Sequence, residues 1–242
     1  MRSKAVIMAA LLLGACGVGN AQDHKASGPQ STRSYDVRGF DRVALRGSDD
    51  VVVKVGGGES VSVSGPADVL DELEVEVVNG ELRLGRKRSN WGVNMSGSRG
   101  RAVFTVTMPR LTGAAVAGSG DMTVDRAESP AFSGALAGSG NLKIAALKAE
   151  TASFDIAGSG DTQIGGGDTR SLKVSIAGSG DLDGAGFKAE NAKISIAGSG
   201  NVRAGVAKDA DVSIIGSGDV EIVGSAKCRV TKMGSGNVRC AS

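Results

Sequence analysis

The chain has 242 residues, of which 38 are glycine and only seven are Phe, Tyr or Trp. Four prolines, and glycines that do not fall at every third position, exclude a collagen-like helix, while 40% hydrophobic content excludes a wholly disordered chain. The net charge of +2 becomes a balance of 26 basic against 26 acidic residues once Arg2 and Lys4 are removed with an amino-terminal signal, which gives no argument for nucleic acid, and the one histidine, His24, lies in the tail, away from any folded catalytic site.

Residues 1–15, MRSKAVIMAALLLGA, have a basic start and an apolar run from Ala5 to Leu13. The run is too short for a stable membrane span and has the pattern of an export signal. It ends in Leu13-Gly14-Ala15-Cys16, which resembles a bacterial lipobox, so cleavage before Cys16 would leave a lipid-bearing cysteine as the first residue. Cleavage after Ala21 is the alternative, and it removes Cys16. Several acyl chains on Cys16 would anchor the protein without a spanning helix, as an outer-membrane lipoprotein; the alternative leaves it in the periplasm. Residues 16–33 are polar and without periodicity, the character of a flexible tether.

In residues 34–110, Glu59 to Ser64 and Leu73 to Leu84 alternate as strands, the latter bent by the hairpin signal Asn79-Gly80. Pro66 to Leu73 reads as a short helical turn. Residues 86–101, RKRSNWGVNMSGSRGR, carry five cations and the only tryptophan, with no acid. Arg86, Lys87, Arg88, Trp91, Arg99 and Arg101 are therefore candidates for contact with sugar rings or anionic phosphates. The competing expectation is a solvated loop with Trp91 folded onto one end of the structure.

From residue 111 to 242 the chain is a repeat. Gly-Ser-Gly-Asp/Asn starts at Gly118, Gly138, Gly158, Gly178, Gly198, Gly216 and Gly234, a spacing of 20 and then 18. Apolar residues alternate two and four positions before most motifs and resume after them, so each repeat reads as strand, corner, strand. Such a unit cannot bury its apolar face alone, and stacking the copies pairs each strand with its equivalent. The expectation is an all-β parallel β-solenoid; a propeller with two repeats per blade is the weaker alternative. A worn copy at Val43 to Val53 has Gly47-Ser48-Asp49-Asp50, with Asp49 in place of the second glycine, which places residues 34–110 as irregular opening turns of the same stack.

Asp121, Asn141, Asp161, Asp181, Asn201, Asp219 and Asn237 form a ladder, one per repeat. Only Asp161 and Asp181 are like-charged neighbours in that series. Turn-forming and stacking roles account for the ladder, and a weak Ca²⁺ site between Asp161 and Asp181 is the functional alternative. Cys228 and Cys240 flank the last corner and are candidates for a disulfide, against two buried free thiols. Lys232 replaces an inward isoleucine there. The serines have no base beside them, repeated carboxylates sit in like environments, and no phosphate loop is present, so no catalytic residue and no cofactor is assigned.

The export signal, the stretch from Tyr35 to Leu84 and the GSG-D/N repeats together resemble the head GIN domain, or auto-transporter adhesin, family over roughly residues 34–238. That resemblance implies a right-handed parallel β-helix in an exported bacterial protein, with no catalytic residues to carry over. The expected function is a non-enzymatic cell-envelope module that contacts polysaccharide or envelope protein. A calcium-dependent polysaccharide-binding or polysaccharide-cleaving protein and a self-associating envelope scaffold are the alternatives.

Overall fold

The computed structural model describes residues 29–87 and 100–240. Strands β1 (Gln30–Tyr35), β2 (Arg42–Gly47), β3 (Asp50–Val55) and β4 (Ser60–Pro66) precede the helix α1 (Ala67–Asp71). Then come β5 (Leu73–Val78), β6 (Glu81–Arg86), β7 (Val103–Met108), β8 (Gly113–Gly118) and β9 (Met122–Val124). The repeats supply β10 (Ala127–Gly138), β11 (Leu142–Ile144), β12 (Leu147–Gly158), β13 (Thr162–Ile164), β14 (Gly167–Gly178), β15 (Leu182–Gly198), β16 (Val202–Gly216), β17 (Val220–Val223), β18 (Lys227–Gly234) and β19 (Val238–Cys240). β1 begins inside the segment read as a tether.

The repeats stack as a parallel β-solenoid, each strand in register with the one a repeat away: Leu136 beside Ile156, Ile156 beside Ile176, Ile176 beside Ile196. Each turn has three faces rather than the two expected. The long strands bend where the ladder skips Pro130, Glu150, Arg170 and Glu190, and two successive outward residues mark the bend in β10. The first face leads into the Gly-Ser-Gly corner, the second is the short strand after it, and the third opens the next long strand. Inward Leu136, Leu142, Ile144 and Leu147 close one level of a continuous core. Gly134 makes room for a phenylalanine in so thin a stack: a Cβ there would lie 2.4 Å from the Phe154 ring of the next turn.

The corner sets the spacing. Ser139 and Gly140 both donate N–H to the Gly118 carbonyl, at 2.9 and 3.0 Å, and one or both of these bonds recur at each corner from Gly47 to Gly216. The price of that approach is the side chain. A Cβ on Gly158, whose φ is +129°, would stand 2.3 Å from the Gly138 carbonyl oxygen, and one on Gly160 would stand 1.9 Å from that of Gly140. Neither distance is compatible with a non-bonded contact.

The amino-terminal turns continue two of these faces and then close them. β2 lies between β8 and β6, and β3 between β9 and β7, all parallel. Beyond them β5 pairs antiparallel with β6, and β4 with β7 and β1, while α1 buries Val69 and Leu70. Asn79 and Gly80, at φ 51° and 76°, make the β5–β6 turn with the positive angles that a two-residue hairpin requires.

Two glycines separate corner geometry from mere composition. Gly158→Ala should cost about 3 kcal/mol or more in urea unfolding. Gly184→Ala, whose Cβ meets nothing nearer than 3.5 Å, should be neutral or stabilise by about 0.5 kcal/mol.

Candidate functional site

The Asx ladder runs along the corner edge, and its hydrogen bonds explain the residue type. The Oδ1 of each member accepts the backbone N–H of the next: Asn141 to Asp121 at 2.9 Å, Asp161 to Asn141 at 3.2 Å, Asp181 to Asp161 at 3.1 Å and Asn201 to Asp181 at 2.7 Å. Asn141 and Asn201 also donate Nδ2–H to the carboxylates of Asp121 and Asp181. Every position therefore needs an acceptor oxygen at the same reach, which Asp and Asn supply and Ser or Glu does not. Asp161 and Asp181 are adjacent as expected, and Oδ1 of each is engaged in the ladder. Among the described residues no group of three or more His, Cys, Asp or Glu side chains is placed to hold a metal ion.

The ladder also begins one turn earlier than the repeats indicate. Asp121 N–H donates to Oδ1 of Asp50 at 3.1 Å, so Asp50 and Asp121 are a second like-charged neighbour pair, which the repeat spacing alone did not reveal. Arg101 stands 3.4 Å from that Asp50 oxygen and supplies the countercharge.

Asp49, the residue in place of the second glycine, is fully buried. Its carboxylate takes two hydrogen bonds from Arg86, from Nε at 2.9 Å and from a terminal nitrogen at 2.8 Å, and a third from Ala102 N–H at 2.9 Å. Arg86 also donates to the Gly100 carbonyl at 2.8 Å. The bonds to Asp49 raise the Arg86 guanidinium above its ordinary range against the opposing effect of burial. A forked pair of this kind, with a fully buried carboxylate, is expensive to break from one side only, at about 3–5 kcal/mol.

Three of the six residues expected to contact a ligand are thus tied to the protein: Arg86 to Asp49, Arg101 to Asp50, and Lys87, whose Nζ donates to the Asp71 carbonyl at 2.9 Å. Arg88, Trp91 and Arg99 lie outside the described residues, as does Cys16. At the opposite end Cys228 and Cys240 are joined by a disulfide with a Cα–Cα distance of 6.6 Å, and Lys232 reaches across the last turn to the Gly236 carbonyl at 2.9 Å.

Sequence reasoning missed the outward columns. On the first face Ala117, Ala137, Ala157, Ala177 and Ala197 stand in register and are all exposed, a flat apolar strip broadened by Ala135. On the third face Glu128, Lys148, Asp168 and Lys188 alternate in sign down one column. Beside it, Lys208 at 2.7 Å holds the Glu190 carboxyl below the usual carboxylate range. Reading each outward position at the repeat spacing, instead of the corner alone, would have exposed both columns.

The ladder bonds make a sharp distinction between losing charge and losing the acceptor. Asp161→Asn should leave thermal stability unchanged or raise it slightly, because it keeps the oxygen and relieves a like-charge contact, whereas Asp161→Ala should cost about 1 kcal/mol in chemical unfolding. Calcium-dependent stabilisation lost in both variants would instead show an ion site.

Residues 39–226 match the family described as "putative auto-transporter adhesin, head GIN domain". No curated protein matches the sequence. Among solved structures the fold is similar to that of a putative adhesin from Bacteroides fragilis, at 20% identity and TM-score 0.79, with 89% of this chain and 99% of that one covered. A putative adhesin from Parabacteroides merdae (14% identity, TM-score 0.71, 90% and 98% covered) has the same architecture. So does a putative lipid binding protein from Parabacteroides distasonis (22% identity, TM-score 0.69, 90% and 98% covered). With its repeated corners and a family match spanning most of its length, the chain belongs to the head GIN domain family.

Proposed function

We propose that the protein is a non-enzymatic, exported cell-envelope module, held to its membrane by lipid on Cys16, that lays the first face of the solenoid against an extended envelope polysaccharide. The observation that carries this reading is the strip of Ala117, Ala137, Ala157, Ala177 and Ala197, in register over five levels and exposed throughout. Small side chains keep the face flat, so a polymer can lie along it, and its periodicity follows the strand spacing of about 4.8 Å. Contiguous apolar surface on a soluble domain marks interaction sites more often than chance exposure does. Asp155, Ser175 and Ser195 border the strip and offer polar contacts, with Lys173 and Lys193 in the next column.

Repetition supports binding over hydrolysis. Acid and base catalysis by two carboxylates needs unlike environments, and the ladder gives its members the same one. In this reading Arg88, Trp91 and Arg99 form an accessory contact, whereas Arg86 serves the fold and is unsuitable for testing ligand loss by substitution. Export to the envelope rests on the signal pattern of residues 1–15 and on the family.

The test is pull-down with isolated envelope polysaccharide, using the wild type and Ala137→Arg/Ala157→Arg/Ala177→Arg. The triple variant should bind roughly tenfold more weakly or worse, with its unfolding midpoint little changed, and neither protein should release shortened glycan. Equal binding by both, or release of cleavage products, contradicts the proposal.

A further inference from the structure

The two ends of the solenoid are finished differently. At the amino-terminal end the core is closed by α1 and the antiparallel strands, and the opening corner is sealed by the Asp49–Arg86 pair. At the carboxyl-terminal end, among the described residues, β18 pairs only with β16, and β19 only with β17. Beyond them no described strand takes up the remaining backbone donors and acceptors. Ile215, Val223, Val230 and Met233, the large hydrophobic residues that stand exposed among those described, all belong to these last turns. The disulfide holds this open edge in shape, so its ordering cost on binding is already met.

Charge identifies what the edge fits. Residues 227–242 carry Lys227, Arg229, Lys232 and Arg239 and no acid. The outermost described strand of the same face at the other end, β5, pairs with β6 and with no other described strand, carries Glu74 and Glu76, and leaves Val75 and Val77 half-buried on its inner side. Placing Val230 opposite Val75 of a second copy, antiparallel, sets inward residues against inward residues and puts Arg229 opposite Glu76. Within the protomer Arg229 lies 2.6 Å from Asp211, and Glu76 lies 3.7 Å from Arg83. The junction therefore extends one column as Asp211, Arg229, Glu76, Arg83, alternating in sign throughout. Two carboxyl-terminal ends would instead bring cations together, and two amino-terminal ends would bring glutamates together.

We propose that copies of this chain associate head to tail, the β18 edge of one adding to the β5 edge of the next through the Arg229–Glu76 contact and the Val230–Val75 apolar contact. The interface joins unlike patches, so it does not close at a dimer but extends.

Sedimentation of the purified protein across a concentration series at low salt tests this. The wild type should gain mass continuously with concentration, and less so in high salt. Arg229→Glu and Glu76→Arg alone should each weaken association by roughly tenfold or more, since each sets like charges against one another. An equimolar mixture of the two variants should recover it, because each then offers the other a complementary end. Both residues lie at the surface, and circular dichroism of each variant verifies the fold. A wild type that stays at protomer mass at every concentration overturns the proposal. So does a dimer strengthened by Arg229→Glu, which would be a pairing of carboxyl-terminal ends, and so does failure of the mixture to recover association.

Discussion

The structure depends on one close approach: the carbonyl of the first corner glycine accepting two N–H groups from the next turn. Hydrogen bonds of this kind contribute about 1 kcal/mol each, but their larger effect is positional. They bring successive backbones so near that no Cβ fits between them, and they do so at the same azimuth on every level. With the corners aligned, the strands before and after them fall into register, inward positions superpose, and the core becomes continuous, with Phe154 and Phe187 among its fully buried side chains. The glycines are destabilising in isolation, through chain entropy, and are retained because the stack has no other way to turn.

The ends follow from the same constraint. Beyond the first corner lie β6 and β7, which no Gly-Ser-Gly corner joins, and Asp49 stands where the repeats have their second glycine. A carboxylate buried there must be paired, and Arg86, leaving β6 just beyond, is the residue within reach. The last corner has the opposite problem, since its acceptors have no following turn, and the disulfide and Lys232 brace it without covering its edge. A cap built from a charge pair at one end and an open, braced edge at the other gives the solenoid a direction. Direction is what separates an extending contact from a closing one.

Much of this was legible in the residues. Seven Gly-Ser-Gly corners at spacings of 20 and then 18 point to a solenoid, because stacking is the simplest way for so short a unit to bury its apolar side. The position of Asp49 marked the first turn, and Asn79-Gly80 marked a hairpin. The third face was not legible, because at its bend two outward residues follow one another and the alternation that signals a strand is broken, as at Pro130 and Ala131. Nor was the role of Arg86. Within residues 86–101 it looks like one cation of five, and its partner is 37 residues away in the chain, in a corner that only the stack brings beside it. The size of Gly134 was not legible either, because its reason, the Phe154 ring, belongs to the next turn. Pairings inside the repeat were thus readable, while those between the repeat and its irregular opening turns were not.

The central claim is that corner register, and not the chemistry of any one turn, holds the protein together. Excising a full repeat, residues 159–178, joins Gly158 to Ser179 and keeps every corner aligned. Excising residues 159–177 leaves one residue over and shifts all later inward side chains outward. Urea unfolding followed by circular dichroism compares the two. The first variant should fold cooperatively with a modest loss of stability and a smaller m-value, and the second should lose its carboxyl-terminal turns. Equal stability of the two variants, or failure of the first to fold, would contradict the account.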